Sequence, residues 1–345
     1  MDLSIAALLA QDGITNGAIY ALLALALVMV FAVTRVILVP AGEFLTIGTL
    51  TLAAFDQGRV PGTVHLVAGA AVLAGAIVAW ACLRRGERLK AARGVVLWTG
   101  LPLVLAAVAA WMGPQHLPLA AEVAMALVLT GVLGPLSWKI VFEPIADAPV
   151  LVLLIVAVAL HFVLTGLSLY FFGAEGSRTP PFSAAAFDLG AMTVSVQSLL
   201  VVVTSALAIA ALALFFGRTL FGKALHATAV NRLGARLCGI SPDFAGALSF
   251  MLAALMCAFC GVLIGPITTV YYDSGFIVSL KGFVGAIIGG LVSYPLAAAG
   301  ALFIGLVEAF ASFWASAYKE VIVFTLIIPV LLWRSLATRH HEGEE

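Results

Sequence analysis

Residues 14–33 read ITNGAIYALLALALVMVFAV. The run carries no charged side chain, and about 20 apolar residues are enough to cross a bilayer as a helix. Inside hydrocarbon every backbone N–H and C=O must be satisfied within the segment itself, which a helix does. A barrel strand would alternate polar and apolar residues over about ten positions, and no such alternation is present here.

Similar runs recur along the chain. Spans are expected near 14–33, 36–55, 66–83, 94–112, 118–138, 150–172, 196–217, 244–265, 277–292, 296–315 and 320–333. That makes an all-α integral membrane protein, a polytopic bundle of about 8–11 transmembrane or partial helices by the length rule. The runs 36–55, with Pro40, and 277–292, with its glycines, are interrupted and read as candidates for half-helices or re-entrant segments. Composition agrees: 63% of the 345 residues are apolar and 10% charged, with a mean hydropathy of +1.17. A soluble domain would carry about 25% charged residues. The 17 basic residues balance 17 acidic ones, which leaves no electrostatic footprint for nucleic acid. Four cysteines in apolar sequence do not form a disulfide framework. Met1 to Asp12 lacks the positive n-region of a signal peptide.

Lys and Arg collect in cytoplasmic loops. With the N-terminus outside and the C-terminus cytoplasmic, thirteen of the 17 basic residues fall inside, among them Arg84, Arg85, Arg88, Lys139, Arg218, Lys223, Arg232 and Arg236. Arg59, Arg178 and Lys319 fall outside, and Lys281 lies within a span. The chain then reads as a single transmembrane domain, 1–345, with two long connections. The extracytoplasmic loop 173–197 is rich in turn formers, and the cytoplasmic loop 217–244 is basic and helix-prone, with a short helix expected at 226–238.

Most local motifs have a bland alternative. GRTLFGKA at 217–224 nearly spells a phosphate loop, but Ala224 stands where a magnesium-binding hydroxyl is needed and a span precedes it. Cys257 and Cys260 read either as a redox or zinc half-site or as small packing residues in mid-span. Gly13 and Gly17, Gly261 and Gly265, and Gly285 and Gly289 each form a Gly-x-x-x-Gly pair. Such pairs let helices approach closely, or arise by chance in glycine-rich sequence. No metal-spaced cluster, nucleophile elbow or cofactor motif is present, so the sequence offers no catalytic residues, no metal ligands and no cofactor site.

Ionisable residues inside spans are costly and default to function. Glu308 lies deep in GALFIGLVEAFASFW, residues 300–314. Lys281 and Glu122 read as functional or as snorkelling to the interface, and His161 as a ligand or relay group or as a hydrogen-bonded structural residue.

The first span resembles the opening of the LivH and LivM type permeases, subunits of bacterial binding-protein-dependent importers, through Gly17, Tyr20, Ala21 and Leu22. AGEFLTIGTL at 41–50 is similar to that family's A-H-G-E-x-x-x-I-G segment, and GKALHATAVNRLGARLCGIS at 222–241 to its cytoplasmic loop. Gly275, Lys281, Gly282, Phe283, Gly289, Gly290 and Ser293 resemble a late family motif, and Gly305 with Glu308 its G-x-x-E. The resemblance runs almost end to end and in order. It departs at Leu38-Val39-Pro40-Ala41, where the family reads N-F-A-H, and at 138–145, where E-R-x-x-Y-R-P-L becomes WKIVFEPI. Residues 60–117 exceed the family's needs by about one helical hairpin.

The resemblance implies a non-catalytic permease of the bacterial inner membrane, passing branched-chain amino acids or related small solutes such as amides, urea or aromatic acids. Its implied partners are two ATP-binding-cassette ATPase subunits, a second permease subunit (heterodimeric or homodimeric) and an extracytoplasmic solute-binding protein, all around the lipid bilayer. The implied translocation path includes Asn16, Tyr20, Glu43, Lys281 and Glu308, and the implied ATPase-coupling residues are Ala227, Asn231, Arg232, Gly234, Arg236 and Gly239. Tyr20 also reads as an interfacial anchor and Asn16 as a helix-end cap. The rival class is a secondary transporter or channel without ATPases. It calls for repeated broken helices or a chain of membrane carboxylates, and Glu308 is the single deep one visible.

Overall fold

A computed structural model describes residues 3–332, apart from positions 85, 87, 116, 184, 190, 191 and 292. Trp333, the last residue of the expected final span, and the basic residues Arg334 and Arg339 lie outside the described residues, as does Arg85. Fourteen α-helices are present among the described residues. They are α1 (Leu3–Thr34), α2 (Ala41–Asp56), α3 (Thr63–Arg84), α4 (Arg88–Val95), α5 (Leu101–Met112), α6 (Leu119–Ser137) and α7 (Val150–Phe172). A two-stranded hairpin follows, β1 (Ala186–Leu189) and β2 (Met192–Ser195). The chain continues through α8 (Val196–Arg218), α9 (Leu220–Val230), α10 (Arg232–Leu237), α11 (Pro242–Ile264), α12 (Ser274–Ile288), α13 (Tyr294–Trp314) and α14 (Lys319–Thr325).

Eight helical segments of the described chain are long and apolar enough to span a membrane. Three of the eleven expected spans fall short. α2 starts at Ala41, not near 36, because Pro40 precedes it and Arg35 sits at φ 61. α12 stops at Ile288, and Gly290 and Leu291 follow with positive φ, which ends the helical path. The last stretch is a short helix, Lys319–Thr325, broken by a turn at Leu326.

The chain divides into two compact units. The first comprises Met1–Val28, Pro181–Leu214 and Ile277–Glu345. Its helices meet through glycine. A Cβ added at Gly17 of α1 would lie 2.9 Å from Leu302 Cα of α13, and one at Gly285 of α12 would lie 2.7 Å from Ala301 Cα. The small residues thus bring α1, α12 and α13 to near backbone contact, as close packing in a membrane requires. Ahead of α8, β1 pairs antiparallel with β2, Ala186 opposite Ser195, and Gln197 Oε1 accepts from Phe182 N at 3.1 Å.

The second unit comprises Met29–Pro180 and Phe215–Phe276. α11 packs on both α6 and α2. Glycine again sets the separation: a Cβ at Gly48 of α2 would meet Ala258 Cα at 2.8 Å. Thr49 Oγ1 donates to Gly261 O at 2.7 Å across the same contact. Trp138 and Phe142 each lie 5.2 Å from the Phe250 ring, filling the centre of this unit. α2 is covered on nearly every side, which is where an irregular stretch such as 35–40 is tolerated at membrane depth.

The two ends of this unit can be told apart. At one end Gly62 abuts Phe171 and Gly113 abuts Val60, Ser177 bridges Val270, and Arg178 Nη2 donates to Pro266 O at 2.9 Å. At the other end Val33, Leu225 and Ala245 form one apolar cluster, and Arg232 Nη1 donates to Ala146 O at 3.1 Å.

Candidate functional site

Three of the expected path residues converge in the first unit. Glu308, deep in α13, has both oxygens engaged: Lys281 Nζ of α12 lies 2.6 Å from Oε1, and Tyr20 Oη of α1 donates to Oε2 at 2.7 Å. Lys281 also reaches Glu320 Oε1 of α14 at 3.1 Å. Lys281 is 5% exposed and Glu308 8%, so each charge depends on its partners. The snorkelling reading of Lys281 is therefore incorrect: its ammonium is held within the protein by carboxylates from two helices. Glu122, in the first turn of α6, is likewise covered by protein, at 6% exposure. Asn16, one turn before Tyr20, is half-buried and makes no hydrogen bond to this cluster among the described residues. Glu320 was missed in the sequence, where nothing marks it among the residues after Trp314.

Glu43, the remaining path residue, belongs to the second unit, near the start of α2. His161 Nδ1 of α7 lies 2.6 Å from Glu43 Oε1. Thr165, one turn along α7, donates to His161 O at 2.9 Å and lies 3.5 Å from Glu43 Oε1. The Phe276 ring stacks on the imidazole, with centroids 4.5 Å apart. Glu43 Oε2 is buried with no hydrogen-bond partner among the described residues.

The expected coupling residues lie on α9, α10 and their flanks. The single helix expected at 226–238 is two, because Asn231 leaves the helix with φ −152 and ψ 101. Its Oδ1 accepts from Gly234 N at 2.9 Å and caps α10. Ala227 lies on α9, Arg236 in the last turn of α10, and Gly239 just beyond it at φ 84. Leu220, Val230, Leu233 and Leu237 of this segment are all exposed. The near phosphate loop at 217–224 is no loop: α8 runs to Arg218, and Thr219 Oγ1 caps α9 by accepting from Gly222 N. Cys257 and Cys260 are buried in α11 and form no disulfide among the described residues.

Comparison with known proteins decides what these elements belong to. The family described as "Branched-chain amino acid transport system / permease component" matches residues 89–331. The chain belongs to this family. As a family member it is a non-catalytic permease subunit of the ATP-binding-cassette class and a multi-pass membrane protein, which displaces the rival reading of a transporter or channel without ATPases. It is 30% identical over 234 residues to the high-affinity branched-chain amino acid transport system permease protein BraD of Pseudomonas aeruginosa, covering 65% of this chain and 76% of that one. It is 33% identical over 218 residues to the LivH permease of Escherichia coli strain K12, covering 60% and 70%. The LivH permease of Salmonella typhimurium matches over the same length at 31%. The family match covers Lys281, Glu308, Glu320, His161 and the whole 217–244 segment of this permease, while Tyr20 and Glu43 precede it.

Proposed function

We propose that this permease carries branched-chain amino acids, or related small solutes such as amides, urea or aromatic acids, across a bacterial inner membrane. In this reading the whole chain, 1–345, acts as one permease domain beside a second permease subunit. Two ATP-binding-cassette ATPases drive it, and an extracytoplasmic binding protein supplies the solute. The BraD and LivH relatives, permeases of high-affinity branched-chain amino acid transport systems, support the solute class.

The observation that carries the coupling role is the two-ended second unit. Arg59 and Arg178 belong to the segments at one end, and Lys223, Arg232 and Arg236 to the segment at the other. By the positive-inside bias the second end is cytoplasmic, so the N-terminus lies outside and the C-terminus inside. The large exposed apolar side chains of α9 and α10, Leu220, Val230, Leu233 and Leu237, then face an aqueous compartment, where apolar surface left open suits a protein partner. That makes Ala227, Asn231, Arg232, Gly234, Arg236 and Gly239 the ATPase-docking segment, and loop 173–197 the face for the binding protein.

Asn16, Tyr20, Glu43, Lys281 and Glu308 form the polar complement of the path. Tyr20, Glu43, Lys281 and Glu308 are covered by their own chain, so opening the path shifts the helices that they join. Reconstitution with the partner subunits should give leucine uptake that needs both ATP and the binding protein. Cysteines placed at 16, 20 and 43 should change their reactivity toward a water-soluble thiol reagent through the cycle. Uptake without ATP would sink the importer reading, and constant reactivity at all three sites would sink the path.

A further inference from the structure

A carboxylate buried in hydrocarbon-facing protein needs its oxygens satisfied, and Glu43 meets that need on one side alone. The fixed side is well determined. Glu43 sits in the first turn of α2, whose entry is clamped by Thr46 Oγ1 accepting from Gly275 N at 3.0 Å. The His161 ring is held in turn by Phe276 and by Phe162, whose ring centroid is 5.0 Å away. Thr165 contributes little, since its hydroxyl is committed to the His161 carbonyl and reaches Glu43 at the limit of hydrogen bonding. The imidazole is therefore the group that decides how the carboxylate points.

We propose that His161 is a positioning residue for transport: it holds Glu43 Oε1 and presents Oε2 as an open acceptor for a hydrogen-bond donor that enters during the cycle. This rests on the reading that Glu43 belongs to the translocation path. The bare oxygen is what separates this pair from an ordinary structural link. A purely structural carboxylate would be expected to have both oxygens engaged, as Glu308 has. Removing the ring lets Glu43 rotate its free oxygen into the α7 contact, where it is lost to the path.

The test uses the complete importer in proteoliposomes. His161→Gln, which keeps a donor toward Glu43, should retain most of the maximal uptake rate. His161→Phe should lower that rate about tenfold, the equivalent of one charge-assisted hydrogen bond, with the KM for solute unchanged because the binding protein sets it. Glu43→Gln should lower the rate on its own, and adding His161→Phe to it should have no further effect, because His161 acts only through Glu43. A further loss in the double variant, or no rescue by His161→Gln, overturns the positioning role. Normal uptake by Glu43→Gln overturns the path reading instead. A thermal-unfolding cycle on the same four proteins reports the pair separately from transport: if it finds no coupling between the two side chains, the contact itself is refuted. Should His161→Phe not assemble, the smaller donor-less His161→Ala takes its place in the same comparison, with the same expected loss and the same absence of further loss on Glu43→Gln.

Discussion

Lys281 Nζ lies 2.6 Å from Glu308 Oε1 and 3.1 Å from Glu320 Oε1, so one ammonium ties α12 to both α13 and α14. The two carboxylates are not equivalent. The Glu308 side chain is 11% exposed and Glu320 38%, so solvent screening discounts the second pair. Lys281→Met strands two carboxylates, one of them buried, and should cost about 3–5 kcal/mol. Glu308→Gln leaves the ammonium with Glu320 and leaves Tyr20 an amide oxygen to bond, and should cost about 1–2 kcal/mol. A double-mutant cycle on thermal unfolding in detergent reads both. Equal single effects that add in the double variant would mean that the pair contributes nothing specific.

Glycine positions should separate into intolerant and indifferent sites. A Cβ at Gly17 or Gly285 meets helix backbone within 3 Å, and backbone cannot swing aside as a flexible side chain can. Gly17→Val and Gly285→Val should each destabilise the permease by about 1–3 kcal/mol. Gly69 has open space around it, so Gly69→Ala should leave the unfolding temperature unchanged or slightly raised. Similar losses at all three positions would argue that helix flexibility, not close approach, explains them.

Asn231 should be the sensitive residue of the cytoplasmic segment. Its side chain caps α10 while its backbone breaks α9. Asn231→Ala removes the cap at about 1 kcal/mol, and Asn231→Asp keeps it. Gly234→Pro acts at the same bond, since Gly234 N is the donor to Asn231. Position 234 is in the first turn of α10, where a missing N–H breaks no intrahelical bond. The proline should therefore mimic Asn231→Ala and not unwind the helix. The measurement is solute-stimulated ATPase activity at equal membrane insertion. Full stimulation in Asn231→Ala would detach the cap from coupling.

The sequence was most legible where hydrocarbon dictates the answer. The run 150–172 is α7 to the residue, because nothing but a helix satisfies its backbone there. Pro40 marked the run 36–55 as interrupted, and α2 starts just after it at Ala41 instead of near 36. What stayed hidden depends on partners far along the chain. Glu43 and His161 are 118 positions apart, so the sequence could suggest a hydrogen-bonded histidine but not which residue it holds. Glu122 read as a snorkelling side chain because its place near a span end cannot reveal that neighbouring helices cover it. At 226–238 the composition favoured one helix. Asn231 opens a second one because an asparagine side chain satisfies free N–H groups best at a helix start.

Native cysteines provide the sidedness measurement. Cys238 is exposed at the end of α10, Cys82 is half-buried, and Cys257 and Cys260 are buried in α11. In a Cys82→Ser background Cys238 is the one readily labelled thiol. With the basic end cytoplasmic, a membrane-impermeant maleimide should label it in inside-out vesicles and not in right-side-out ones. Glu175→Cys, exposed in the loop at the opposite end of the second unit, should show the reverse pattern. Adding the ATPase subunits should then slow labelling of Cys238, which follows Leu237 on the exposed apolar face, while leaving position 175 unaffected. Labelling of Cys238 from the outside would invert the topology and remove the docking segment. Labelling from the inside at a rate that the ATPases do not change would keep the topology and move the ATPase contact elsewhere.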